Sequence, residues 1–453
     1  MRRQADSRST TDTSFSVLIV CDHASAKFGG EAILPLHYFR LLRNRGFEVW
    51  LVAHSRTRAE LAELFPGEKR ILFVEDNRLH TLLWRLGTLL PPMLAYVTTG
   101  FISRLAVQVA QRRIVRHLVA TEGIDLIHQP TPVSPREPSI ICDVGAPVII
   151  GPMNGGMDYP PAFRVEQNWF KKTLLRVGVS QVGWLNRVMP GKRRAAILLV
   201  ANERTRAALP KGVCDRVELL GENGVELDLW NPDPPPASRR GTGVVTFCFV
   251  GRLVKLKAVD ILLDAFAIAS ASVPIRLVVI GDGEERARLQ RQAAALFPSR
   301  PTEGAGAPIS FAGWISQSAC AAELAGIDSL VMPSLRDCGG AVILEAMSMS
   351  KPVIATAWGG ALDYLDDACG ILVAPTSRTA LIEGLAAAMV RLASSPVERA
   401  AMGHAARLKV ETHYDWEVKV EDILRTYRRV LAASALPAAT AVVATSGSGV
   451  NSH

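Results

Sequence analysis

Between Pro333 and Gly360 the chain reads PSLRDCGGAVILEAMSMSKPVIATAWGG, and this stretch carries the sharpest chemical signal. An apolar strand ends near Met332. A loop follows with Asp337 and the paired Gly339 and Gly340, and a helix is expected from about Ala341. Glycines lack a Cβ, so a ligand can approach the backbone closely. A helix start offers free N–H groups and partial positive charge, which suits a diphosphate. Glu345, about one turn into that helix, can accept hydrogen bonds from sugar or ribose hydroxyls. Spacing alone equally allows an ordinary loop and helix with a surface glutamate.

A second basic signal is Gly251-Arg252-Leu253-Val254-Lys255-Leu256-Lys257, directly after an apolar strand. Cations there would neutralise a departing diphosphate, Arg by a bidentate contact and Lys as a point charge. The alternative is a solvated basic loop. Weaker pieces lie earlier. Gly29 and Gly30 follow the first strand, where they suit a phosphate-facing loop or a tight turn before a helix. His128 follows another strand and is expected to point toward a cleft, with a structural histidine as the alternative. Asn154, in Gly151-Pro-Met-Asn-Gly-Gly156, could bond ligand hydroxyls or close a turn. His23 and Glu203 are further cleft candidates, with ordinary structural roles favoured.

These residues need elements to hold them. Strand-like runs alternate with helical patterns from Phe15 onward, at 15–20, 48–53, 126–127, 147–150, 196–200 and 217–220. Unbroken apolar strands separated by helices indicate parallel sheets covered on both faces. The alternation stops at Asn231 to Gly243, NPDPPPASRRGTG, which reads as an interdomain linker. It restarts at 244–250 and continues through 276–280, 309–311, 329–332, 353–355 and 371–373. The expected fold class is α/β, with two Rossmann-like domains facing a central cleft. The first spans residues 15–230, joined by a C-terminal helix at about 414–432, and the second spans 243–413. Residues 1–14 and 436–453 are small, polar and aperiodic and are expected to be disordered.

Taken together, these motifs resemble the large retaining GT-B glycosyltransferase family that carries the E-x7-E motif. The resemblance covers nearly the whole ordered chain. It implies that Arg252 and Lys257, five apart, grip the diphosphate of a nucleotide-sugar donor, UDP- or GDP-linked. It implies that Glu345 binds the ribose and that Asp337, eight positions earlier, contacts the donor sugar. The family usually has Glu at that position and EGFG where this chain has Asp337-Cys338-Gly339-Gly340. Asp is one methylene shorter, which puts the donor sugar in question. Gly339, Gly340 and Ala341 form the start of the donor helix, and Gly29 and Gly30 match a Gly-rich loop near the phosphate. His128 resembles a histidine beside the reacting sugar, and Asn154 a donor or acceptor contact. Glu222-Asn223-Gly224-Val225 and Phe311-Ala-Gly-Trp314 are supporting matches. The implied reaction is sugar transfer to a hydroxyl acceptor with retention, with no cofactor and no obligatory metal.

Composition narrows the alternatives. The 453 residues are 49% hydrophobic and 21% charged, which is globular and fits two domains. A net charge of +8 suits phosphate-bearing small molecules, nucleic acid or a membrane surface. No aromatic-interleaved basic stripe or nucleic-acid module is present, so a nucleic-acid partner is not expected. A dinucleotide oxidoreductase is disfavoured because Gly281-Asp-Gly283 lacks the GxGxxG spacing. A catalytically silent GT-B scaffold would be supported by loss of Lys257 or Glu345, and both are present. Seven cysteines without a CxxC pair argue against disulfides and structural zinc and suit a reducing cytoplasm. No signal peptide is expected, and the apolar stretch 79–107 is broken by Arg85, Pro91-Pro92 and Arg104. The basic amphipathic stretches 79–113 and 169–194 suit an anionic membrane surface. Internal packing with solvated charges is their alternative. Relatives in the family modify lipid-linked acceptors at the inner face of the membrane. The resemblance therefore implies a cytoplasmic, peripheral location and a lipid-linked acceptor.

Overall fold

Strand β1, Ser16–Val20, is apolar apart from its first residue and buried along its whole length. Such a strand has no solvent face, so it must sit inside a sheet with helices on both sides. In the computed structural model, which describes residues 15–27, 30–164, 184–232, 243–298 and 307–435, it does. The expected disordered ends, 1–14 and 436–453, lie outside the described residues. So do most of the linker, 233–242, and residues 165–183, which take in 169–183 of the second basic stretch.

The first sheet has seven strands in the order β3-β2-β1-β4-β5-β6-β7. These are β2 Glu48–His54, β3 Ile71–Val74, β4 Leu126–Gln129, β5 Val148–Met153, β6 Ile197–Val200 and β7 Val217–Leu219. The second has six in the order β10-β9-β8-β11-β12-β13. They are β8 Val245–Val250, β9 Ile275–Ile280, β10 Ile309–Gly313, β11 Ser329–Met332, β12 Val353–Thr356 and β13 Gly370–Val373. All the pairings between these strands are parallel. Pattern reading misses only β3, a four-residue ILFV run.

Each sheet reverses its winding once, between β1 and β4 and between β8 and β11. Loops leaving the carboxyl ends of strands diverge at such a point and open a crevice. The second reversal places the loop after β8, with Arg252 and Lys257, beside the loop after β11, with Asp337. The first places the loop after β1 beside the loop after β4.

The last helix, Trp416–Ala435, returns to the first sheet. Trp416, Val420, Ile423, Leu424, Tyr427 and Val430 lie in the same apolar cluster as Val17, Phe39 and Leu126. The chain crosses back beside the outgoing strand of the linker. Val225 N–H donates to the Tyr414 carbonyl at 2.8 Å, and Trp416 N–H donates to the Val225 carbonyl at 3.1 Å. The two crossings between domains are thereby tied at one place.

Candidate functional site

The loop after β8 turns through a short 3-10 segment, Lys255–Lys257, and ends at Ala258 with φ +50°. That left-handed backbone is unusual for alanine and costs about 1 kcal/mol. It starts the helix Val259–Ser270 at once after Lys257. The Lys257 ammonium donates to the Asp337 carboxylate, 80 residues away in sequence. Both side chains are largely enclosed. Gly340, with φ +60°, then turns the chain into the helix Ala341–Ser348. A Cβ on Gly340 would lie 3.9 Å from the Asp337 carboxylate, so that carboxylate sits at the amino end of the helix. Arg252, at the start of the loop after β8, is exposed.

Glu345 lies one turn into that helix. Its side chain keeps some solvent access, but burial pushes its carboxyl up to about 7. Among the described residues no cation pairs with it. A carboxyl held in that way gains from hydroxyl donors when it ionises.

The Asp337-Cys338-Gly339-Gly340 loop packs on Trp358-Gly359-Gly360. Gly360 N–H donates to the Asp337 carbonyl at 2.8 Å. A Cβ on Gly359 would meet that carbonyl at 2.5 Å, so the approach needs a glycine there.

A cavity of about 610 Å³ opens between the domains. Glu31, the 132–137 loop and 154–158 line it from the first domain, and Arg336 and Cys338 line it from the second. It adjoins a smaller pocket lined by Asp22, His23, Glu31, Arg104 and Glu137. Burial, then the charge of Glu137, raises Asp22 to about 6, while Gln111 opposes the shift through a hydrogen bond. Arg104 Nε donates to Glu137 at 2.5 Å and offsets part of this negative charge. The domains are bridged around the cavity. Asn154 Nδ2 donates to the Cys338 carbonyl at 3.0 Å. Arg204 and Asn202 both donate to Asp363, at 3.0 and 2.8 Å. Trp358 Nε1 donates to the Asp158 carbonyl at 2.8 Å.

Residues 244–395, which hold every donor-side feature above, match the glycosyl transferases group 1 family. The chain has the GT-B fold. It is 31% identical over 235 residues to the D-inositol 3-phosphate glycosyltransferase of Segniliparus rotundus, covering 48% of each chain. It is 28% identical over 214 residues to a GDP-mannose-dependent phosphatidylinositol monomannoside mannosyltransferase of Corynebacterium glutamicum, 44% of this chain and 53% of that one. The chain thus spans about half the length of the curated relatives it matches. Across the fold it is similar to Anabaena HepE, solved with UDP and glucose, at a TM-score of 0.62 and 17% identity. That likeness covers 91% of this chain and 99% of HepE.

Within the GT-B cleft, several expected residues stand elsewhere. His128 does not reach the cleft. It is fully buried in β4, its Nε2–H donates to the Gly151 carbonyl at 2.6 Å, and its Nδ1 accepts from Tyr427 at 2.6 Å. Both nitrogens are satisfied inside the core, and burial lowers its pKa to about 4. The residue points across the sheet toward the returning helix because a parallel strand's side chains alternate between two covered faces. Asn154 lines the cavity, but its amide is engaged by protein: Nδ2 donates to Glu222 at 2.7 Å as well as to Cys338. It works as a strap rather than as a free hydroxyl contact. Glu203 pairs with Arg206 on the surface. Gly30 begins the helix Gly30–Asn44 in open space, and Gly29 lies outside the described residues. Ala341 is the first residue of its helix. His23 does line the smaller pocket.

Three residues of the cleft escape sequence reasoning. Glu222 is buried against Asn154, and burial pushes it up to about 7. Its family-like motif marked the segment but not the contact. Arg204 reaches across to Asp363, and nothing in its local sequence separates it from a surface arginine. Lys192, which read as part of the basic stretch suited to a membrane surface, is completely buried. Its ammonium donates to the Ser134 and Pro135 carbonyls at 3.0 and 2.9 Å and braces the cavity loop. Burial lowers its pKa to about 7. All seven cysteines are free.

Proposed function

We propose that the protein is a retaining glycosyltransferase that moves a hexose from a nucleotide-diphosphate donor to a hydroxyl acceptor in polysaccharide or glycolipid assembly. The observation that carries this reading is the corner made by Lys257, Asp337 and the amino end of the helix Ala341–Ser348. It concentrates positive charge where the winding of the second sheet reverses, which is where doubly wound sheets bind ligands. Lys257, Arg252 and the helix amino end receive the departing diphosphate. Glu345 accepts the ribose hydroxyls. Asp337 shares Lys257 with the donor phosphate and turns its carboxylate to the donor sugar. Such a site accelerates transfer by holding the reactants and stabilising developing negative charge.

The acceptor enters the interdomain cavity, whose walls come from the loops after β1, β4 and β5. A glycolipid or lipid-linked acceptor is supported by the surface beside it. The helices Arg78–Thr88, Pro92–Val97 and Thr99–Glu122 expose Leu79, Leu82, Trp84, Leu86, Leu89 and Leu94. Arg78, Arg85, Arg113 and Arg116 are exposed on the same helices. Apolar side chains with flanking arginines fit an anionic membrane surface, with a peripheral location at its cytoplasmic face. Among the described residues no single helix is long and apolar enough to cross a membrane.

The direct test is calorimetric titration of UDP and GDP into the purified protein, with Lys257→Ala and Glu345→Ala alongside. Binding of one nucleotide, weakened by both substitutions, supports the donor site and selects the donor class. Binding of neither, or binding indifferent to both substitutions, removes the donor site from this corner and favours a silent scaffold.

A further inference from the structure

Behind the acceptor pocket lies a cluster of side chains that the transfer reaction does not use. His54 is the last residue of β2, Asp76 follows β3 by two residues, and His80 sits in the helix Arg78–Thr88. His54 Nε2 lies 3.4 Å from Asp76 Oδ1, and His80 Nδ1 lies 3.5 Å from the same oxygen. One ligand atom from each of the three residues falls within 4.8 Å of the others. Both imidazoles are buried, while Asp76 opens to solvent.

We propose that His54, Asp76 and His80 bind a divalent transition cation, with zinc as the type ion. The spacing supports this. Metal–nitrogen and metal–oxygen bonds of about 2.0–2.1 Å in a tetrahedron put ligand atoms about 3.4 Å apart. Two of the three edges already have that length. Two imidazoles and one carboxylate form a borderline-hard set that suits zinc and its neighbours rather than calcium or magnesium. Three protein ligands leave a fourth position for water on the open side of Asp76.

The present partners of these atoms are weak ones. His80 Nδ1 accepts from Asn77 N–H at 3.3 Å, and its Nε2 is buried without a hydrogen-bond partner. His54 Nδ1 accepts from Arg56 N–H at 3.3 Å, which leaves Nε2 facing Asp76. The Arg56 guanidinium, 3.2 Å from Asp76 Oδ1, competes for the cation's place. Arg56 is half exposed on a short turn and can swing away.

The place gives the site a role. His54 ends a strand of the sheet and Asp76 lies in the turn just after β3, whereas His80 belongs to the helix that carries the exposed apolar face. A cation held by all three would clip that helix to the sheet. It would also stiffen the wall of the acceptor pocket, because the His23 ring stacks on His54 with centroids 6.1 Å apart.

The test uses the full chain freed of metal by a chelator. Zn²⁺ is titrated by calorimetry, and Co²⁺ is followed by its visible absorption, which reports four-coordinate geometry. One site per chain is expected, with affinity falling at least about tenfold in His54→Gln, His80→Gln and Asp76→Asn. Arg56→Ala keeps all three ligands, removes the guanidinium that occupies Asp76, and is expected to tighten binding. His404→Gln, at an exposed histidine far along the chain, is expected to leave it unchanged. Thermal melting of each variant separates lost binding from lost folding. Zn²⁺ binding that survives His54→Gln and Asp76→Asn undiminished, or that disappears in His404→Gln, overturns the proposal. So does the absence of Zn²⁺ and Co²⁺ binding in both the native chain and Arg56→Ala.

Discussion

The Lys257 ammonium and the Asp337 carboxylate form an ion pair between the loops that leave β8 and β11, the two strands at which the winding of the second sheet reverses. The carboxylate thereby takes the anion-attracting position shared by the lysine and the helix amino end. Lys257→Ala is expected to weaken UDP or GDP binding and to lower kcat/KM by about 100-fold or more, the cost of removing a charge aimed at a leaving group. Asp337→Asn frees the lysine. It is expected to leave nucleotide affinity nearly unchanged while lowering turnover of the nucleotide sugar. Calorimetry beside steady-state kinetics distinguishes the two. Equal loss of nucleotide binding in both variants would remove Asp337 from the sugar side of the site.

Glu345 gives a pH dependence with a definite sign. Burial raises its carboxyl from 4.5 to about 7. Between those values the unfolded chain ionises first, so the folded state holds more protons and this residue's contribution to stability falls as pH rises. The penalty is complete above about pH 7. Glu345→Gln is therefore expected to melt higher than the native chain at pH 8 and level with it at pH 4. Ribose hydroxyls favour the ionised carboxylate, so nucleotide binding should release a proton at pH 6–7. Calorimetry in buffers of different ionisation enthalpy reads that proton, and it should vanish in the Gln variant. A pH-independent difference in melting would show that folding leaves the ionisation of Glu345 unshifted.

His128 is expected to matter for stability and not for chemistry. His128→Ala leaves the Tyr427 hydroxyl and the Gly151 carbonyl buried without partners and opens a cavity. It should cost about 2–5 kcal/mol by chemical denaturation. Tyr427→Phe removes one hydrogen bond and should cost about 1–2 kcal/mol. Turnover measured well below the melting point should stay within a few-fold of the native value in both. A large fall in kcat in Tyr427→Phe, with stability intact, would return His128 to the reaction.

Asn154→Ala tests the strap between the domains. It deprives Glu222 of its buried donor and Cys338 of its cross-domain contact. A loss of about 1–3 kcal/mol in stability is expected, from the unpaired buried groups. Small-angle scattering should show a larger radius of gyration as the cleft opens. Unchanged scattering would mean that Arg204, Asn202 and Trp358 hold the domains without Asn154.

The exposed apolar helices predict binding to lipid vesicles. Flotation with vesicles containing an anionic lipid should recover the native chain, and less of Trp84→Asp and Leu82→Asp. Neutral vesicles should recover less than anionic ones, and added salt should weaken binding because the arginine contribution is screened. Binding indifferent to both lipid charge and these substitutions would assign the apolar face another occupant.

The sequence by itself determined the architecture. Twelve of the thirteen strands showed in the alternation of strand-like and helical segments, and the nearly all-apolar ones, such as β1, β6 and β11, have no polar face and must be covered on both sides in a parallel sheet. It also marked the donor corner, because Gly340, Glu345 and the basic loop after β8 follow from local backbone needs and charge. β3 was missed because four apolar residues carry too little pattern to separate strand from helix. Only the tertiary structure decided the rest. Whether His128 faced the cleft or the core depended on which face of the sheet the returning helix covered. Whether Lys192 lay in solvent or beneath the 132–137 loop depended on a contact 57 residues away in sequence. His54, Asp76 and His80 became neighbours through the pairing of β2 with β3. Local sequence fixes what a residue can do by its type. The partners that decide what it does are brought by the packing of distant segments, which no local pattern records.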